Sequence, residues 1–191
     1  MTWWGWLILG VVLALVVLLV GLWQKASRLD RLHRRILSAR TRIDKGLVSR
    51  NVAALKLPER SPSGSQSLEN LRSSAVEALE LSGIPLVRDD LDPEDHTEAS
   101  LVDQRLLAES MVSRAIRDHV AAAGLDEPGA KPCREFETVQ DAARHVALVR
   151  TLHNQDVRLA RALRAQWEVR LFHLAGRAPT PDFIDLDDVF E

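Results

Sequence analysis

The chain contains no tyrosine, a single cysteine and only two methionines among its 191 residues. One cysteine, Cys133, cannot form an internal disulfide, so no covalent staple helps this fold. No stretch alternates apolar and polar residues long enough to make a strand, which points away from β architecture. No Gly-rich phosphate loop, no Gly-x-Ser-x-Gly and no Cys–His constellation occurs. The six histidines are His33, His96, His119, His145, His153 and His173. None forms a His-x-x-x-His pair or lies at ligand spacing from the cysteine, so no metal site or cofactor is expected. Asp141 and His145 stand four apart, a spacing that on a helix reads first as a surface ion pair. Cys133 has only Lys131 and Arg134 nearby to lower its pKa. These absences argue against an enzyme. The formal net charge is −2, which gives no overall attraction to nucleic acid.

What the chain does have is a long uncharged opening. From Trp3 to Trp23 no residue carries a charge. As a helix that run is ~30 Å long, about the thickness of the hydrocarbon layer of a bilayer. Trp3, Trp4 and Trp6 crowd one end and Trp23 closes the other, as suits indoles at a membrane–water interface. A cleavable secretory signal would need basic residues before a shorter apolar core and small residues at a cut site. Leu22-Trp23-Gln24-Lys25 does not supply them.

Charge sets a direction. Between Gln24 and Arg60 eleven basic residues face three acids, an excess typical of a cytoplasmic flank. The expected organisation is therefore a short extracytoplasmic N-terminus (1–2), a transmembrane helix (3–23), a cytoplasmic helical domain (24–175) and an acidic C-terminal tail (176–191). Lys25, Arg28, Arg31, Arg34 and Arg35 are candidates for contact with anionic headgroups. The alternative reading is a topology signal on a solvated helix face. Acidic residues gather elsewhere, seven in Arg88–Asp103 and five in Asp182–Glu191.

Beyond the anchor, Leu29, Leu32, Ile36, Ala39, Ile43 and Leu47 recur at steps of three and four, a seam of coiled-coil type. This helix should run to about Leu57, stopped by Pro58. A second fits Ser67–Ser82, with Ser65 or Ser67 as cap and Gly83 and Pro85 after it. Residues 84–97 read as an exposed acidic loop. A third helix fits about Thr97 to Ala123, with Gly124 as its stop. The last and longest should run from Arg134 to Ala175. Its stripe is Ala142, Val146, Val149, Ala160, Leu163, Trp167, Leu171 and Leu174, and Gly176, Pro179 and Pro181 follow. The fold class is all-α: one N-terminal transmembrane helix continuing into an antiparallel bundle of long helices. Polar residues interrupt the seams. Arg35 and Asp44 on the first helix and Arg150, His153, Asn154 and Asp156 on the last are candidates for a hydrogen-bonded layer that would fix the register of the two helices; the alternative is that these residues face water.

The two outer segments together resemble the LemA family, small bacterial membrane proteins with one N-terminal span and a helical body. The matching residues near the anchor are Arg31, Leu32, Arg35, Ile36, Ala39, Ile43, Asp44, Leu47 and Arg50. Near the C-terminus they are Arg150, Asn154, Val157, Leu171, Phe172, Gly176, Pro179, Phe183 and Asp185. The chain departs from the pattern in places. His153-Asn154 and Ala160-Arg161 stand where the family has Tyr-Asn, Arg40 stands where it usually has Trp, and residues 56–132 do not follow it. The resemblance implies a membrane protein without an established reaction. With the amphipathic stem it points to a non-catalytic scaffold at the inner face of the membrane. Its partners would be the lipid bilayer and either a protein partner or its own copies. The rival is a module that senses anionic lipid through the basic stem.

Overall fold

In the computed structural model, residues 3–58, 65–89, 91, 98–125, 132–176 and 178–187 are described. Five helices and no strand occur among them: α1 Trp3–Leu55, α2 Ser65–Glu80, α3 Ala99–Ala122, α4 Arg134–Ala165 and α5 Trp167–Leu171. The all-α, antiparallel arrangement expected from the sequence is present.

α1 is one unbroken helix of 53 residues, ~80 Å long at the usual rise. Its halves differ in what covers them. Residues 3–20 are exposed along their whole length, and burial begins in earnest at Leu29. From there a heptad pattern holds, with Leu29, Ile36, Ile43, Arg50 and Leu57 on one row and Leu32, Ala39, Gly46 and Ala53 on the next. The helix closes in a tighter turn, Lys56 N–H donating to Ala53 and Leu57 N–H to Ala54, before Pro58, which cannot continue it.

α4 lies antiparallel along α1. Lys25 meets Glu168, Arg40 meets His153, and Gly46 faces Val146. A Cβ placed on Gly46 would stand 2.8 Å from Val146 Cγ2, so the missing side chain is what lets the helices come this close. α2 and α3 form a helical hairpin that caps the far end of α1. α3 ends with Gly124 at φ 61° and Leu125 N–H reaching back to Val120, the glycine stop expected from sequence.

The core is three apolar layers stacked along α1. The first holds Leu29, Leu32 and Ile36 against Val157, Ala160, Leu163 and Val169. The second holds Ile43 and Leu47 against Val146 and Val149, with Leu86, Val87, Ile184 and Leu186. The third joins Ala53, Ala54 and Leu57 to α2, α3, Phe136 and Val139.

Three expectations are corrected: the extent of the last helix, its inward stripe and the exposed loop after α2. The last helix does not run to Ala175. It breaks at Gln166, whose ψ of 137° is extended, and α5 follows. The break changes the phase, so Val169 is buried while Trp167 and Leu171 of the expected stripe are exposed. Ala143, not Ala142, is the buried alanine of that stripe. Within the supposed exposed loop, Leu86, Val87 and Asp89 are buried, because two adjacent apolar side chains fill the middle layer; residues 92–97 lie outside the described residues. The acidic tail is packed over 178–187. Ile184 and Leu186 alternate inward with extended-chain periodicity.

Candidate functional site

Two polar nodes separate the three apolar layers. The first stands between Ile36 and Ile43 on α1. Arg40 makes a bidentate pair with Asp89, Nη1 donating to Oδ1 at 2.9 Å and Nη2 to Oδ2. Such a planar pair is among the strongest side-chain contacts available. The backbone N–H of Asp182 also donates to Asp89 Oδ2, at 2.8 Å, and that of Leu91 to Oδ1 at 3.2 Å. Burial pushes the Asp89 carboxyl up, but Arg40 and the two amides outweigh it and hold it below the usual carboxylate range.

His153 is fully buried beside this pair. Arg40 Nε reaches its Nε2 at 3.5 Å, and Nδ1 lies 3.1 Å from Asn154 Oδ1. Because Arg40 can only donate, Nε2 accepts and the proton sits on Nδ1, donating to Asn154. The ring is therefore neutral. Burial lowers its pKa first; the bond to Asn154 opposes that, and the Arg40 charge adds to the lowering. Asn154 in turn clasps the tail, its Nδ2 donating to Ile184 O and its Oδ1 accepting from Ile184 N–H, both at 3.0 Å.

The tail is strapped down along its length. Arg164 donates to the carbonyls of Pro179 and Ala178, and Arg161 donates to that of Pro181 and pairs with Asp182. The Arg161 guanidinium also lies 4.6 Å over the ring of Phe183. Asp187 closes the strap against Arg114 and Arg117 of α3.

The second node lies between Leu47 and Ala53. Arg50 Nη2 donates to Glu109 Oε2 at 2.7 Å and to the Glu109 carbonyl at 3.1 Å, while Nη1 donates to Ser113 Oγ at 2.9 Å. Asn51 Nδ2 donates to the same Glu109 oxygen. One turn away, buried Arg105 of α3 reaches across to Asp44. Long side chains thus tie α3 to α1, whose backbones approach little.

Of the interhelical layer expected from sequence, the structure brings together His153 and Asn154. Asp44 is partnered, but by α3. Arg150 and Asp156 are half-buried, and Asp156 acts on His153 only through its charge. Arg35 is exposed; the guanidinium in the layer belongs to Arg40, which shares the face of Ile36 and Ile43 at steps of four and three. Sequence reasoning missed Arg50, Glu109, Asn51, Ser113 and Asp89. Carrying the heptad beyond Ile43 would have found Arg50, which falls on the seam row. Asp89 had no such signal, since it comes from a connection.

Among the basic residues that follow the apolar run, Arg28, Arg31 and Arg35 are exposed. Lys25 is ion-paired with Glu168 at 3.0 Å, and Arg34 with Asp30. Asp141 pairs with Arg144 at 3.3 Å rather than with His145; both Asp141 and His145 line an open groove of about 520 Å³ between α1 and α4. Cys133 caps α4, half-buried against the third layer. Among the described residues no three of His, Cys, Asp and Glu gather as metal ligands would. The node side chains are engaged chiefly with one another, so what the arrangement does chemically is fix register.

A second feature faces outward. On α4, Leu148, Leu152 and Leu159 are exposed and share one face, opposite the buried seam. On α3, Leu107 and Met111 are exposed one turn apart. Compared with known proteins, the chain matches no family model, no curated protein and no solved structure.

Proposed function

We propose that the chain is a non-catalytic, single-pass membrane protein of LemA-like type, whose helical bundle serves as a docking scaffold at the inner face of the membrane. The observation that carries this reading is the contrast within α1. The same helix is apolar and uncovered over residues 3–20 and fully integrated in a core from Leu29 onward. An uncovered apolar rod of that length is unfavourable in water and matched to hydrocarbon. Past its first turn the backbone groups of this stretch are satisfied by the helix itself, as lipid requires. The excess of basic residues after Trp23 favours an inner location for the bundle.

The scaffold role follows from the exposed leucines of α4. They repeat at helical spacing on a rigid helix, the form in which a groove-binding or pairing helix is accepted. The occupant would be a helix of another protein or of a second copy. The polar nodes suit this role, because they hold α1, α3 and α4 in one register and keep the outer face fixed.

A second reading, sensing of anionic lipid, is favoured by exposed Arg28, Arg31 and Arg35. Two variants of the full chain in nanodiscs separate them. Leu148→Lys with Leu152→Lys should abolish cross-linked complexes and leave lipid preference intact. Replacing Arg28, Arg31, Arg35 and Arg42 by Gln should do the reverse if lipid sensing is the function. Arg40 is left untouched, since it belongs to the buried node.

A further inference from the structure

We propose that Trp167, Leu171 and Phe172 form a second membrane contact, a foot seated at the headgroup–acyl boundary beside the point where α1 leaves the bilayer. The inference rests on reading residues 3–23 as a membrane span.

Three observations place the foot there. The antiparallel register carries the end of α4 and all of α5 down to the start of the covered part of α1, and the contact is closed by the Lys25–Glu168 ion pair at 3.0 Å. That pair lies two residues beyond Trp23. Gly21 and Leu22 are only half exposed, whereas every residue from 3 to 20 is exposed, so the bundle reaches the last turn of the apolar run and stops. Finally, the break at Gln166 sorts the side chains of α5. Val169 enters the first apolar layer, while Trp167, Leu171 and Phe172 remain 68%, 61% and 43% exposed.

The chemistry of the patch suits a lipid boundary better than water. An indole with its single N–H, a phenyl ring and a leucine flank Glu168, whose partner Lys25 follows Trp23 by two residues, and Trp23 is itself 70% exposed. Amphipathic aromatic rings concentrate at this depth. Exposed Arg170 and Arg28 lie close by in sequence to the patch and to the membrane exit and supply cations for lipid phosphates.

The foot would give the scaffold an orientation. A single helix leaves the bundle free to tilt and swivel about α1. A second contact on the α4 side fixes which way the outer face of α4 points.

The test uses single-tryptophan versions of the full chain in phosphatidylcholine–phosphatidylglycerol vesicles with brominated acyl chains. One version keeps Trp167, with Trp3, Trp4, Trp6 and Trp23 replaced by Phe; the other keeps Trp23, with Trp167 replaced by Phe instead. The proposal expects loss of fluorescence for Trp167 comparable to that for Trp23, and poor quenching of both by acrylamide. If Trp23 is quenched by bromine while Trp167 is quenched by acrylamide alone, the foot is wrong and the anchor stands. If Trp167 is shielded from both quenchers, a second copy or another protein surface covers it and the proposal is overturned. If neither tryptophan meets bromine, the span fails and the foot falls with it.

Discussion

Arg50 and Glu109 meet 2.7 Å apart with side chains 1% and 0% exposed, a buried ion pair that joins α1 to α3. Burying two charges is costly, and their mutual attraction with added hydrogen bonds offsets that cost without making the pair a large net source of stability. Its value lies in discrimination. Sliding α1 by one turn would leave both charges buried and unpaired.

Removing one partner should therefore be far worse than removing both. Glu109→Leu alone is expected to destabilise the chain by about 3–5 kcal/mol, whereas Arg50→Met with Glu109→Leu should cost much less than the two single changes added together. Denaturant unfolding of the full chain in detergent gives the four corners of this cycle. Additive losses would show that the pair is not coupled.

Gly46 makes a prediction whose sign reverses. Alanine gains about 1 kcal/mol of helix propensity over glycine, but overpacking typically costs about 1–3 kcal/mol. The added Cβ would meet Val146, a stiff side chain in the middle layer. Gly46→Ala should lower the unfolding temperature of the natural chain and raise that of the Val146→Ala variant. A stabilising effect in both backgrounds would mean the helices are not this close.

Acid should loosen the first node in two stages. His153 has its pKa lowered by burial, so the unfolded chain takes up a proton first as pH falls. Stability is then complete above the ordinary histidine value of about 6.5 and declines below it, with a slope of at most about 1.4 kcal/mol per pH unit for each such group. His33 and His119 are lowered too, also chiefly by burial, and add to the slope. Asp89 is lowered by Arg40 and two amides, so its contribution persists until pH falls below about 3.9. A pH series of melting curves should show both windows, and His153→Gln should shrink the upper one. Unchanged steepness in that variant would exclude His153 as a contributor.

The clasp between Asn154 and Ile184 predicts a local effect. Asn154→Leu removes both hydrogen bonds to the tail and the one accepted from His153, each worth about 0.5–1.5 kcal/mol. Amide exchange at Ile184 should speed up roughly tenfold or more, while that of Val146 and Val157 in α4 barely changes. Equal acceleration throughout α4 would show that the tail is part of the global core rather than a strap.

Several parts of this fold were legible in the sequence because a local pattern wrote them. The uncharged run to Trp23, the seam from Leu29 to Leu47 and the glycine stop at Gly124 each follow from periodicity or backbone chemistry. His153 and Asn154 were recognisable as polar residues interrupting an apolar stripe. Other parts depend on tertiary partners. The break at Gln166 has no proline or glycine to announce it; docking of Val169 and the Lys25–Glu168 pair select it over a continuous helix. Asp89 looked like one acid among many until Arg40 was seen opposite it. The alternation of Ile184 and Leu186 is too short to distinguish from tail composition without the surface they pack on. Arg50 was hidden by the usual assumption that arginine faces water, although its heptad position said otherwise.

The central claim is that α1 crosses a bilayer and leaves the bundle on the inner side. In cells expressing the chain with Cys133→Ser, a cysteine at the exposed position of Arg42 can be probed with a membrane-impermeant maleimide. The account predicts no labelling in intact cells and full labelling after the membrane is opened. Labelling of intact cells would put the bundle outside and contradict the account.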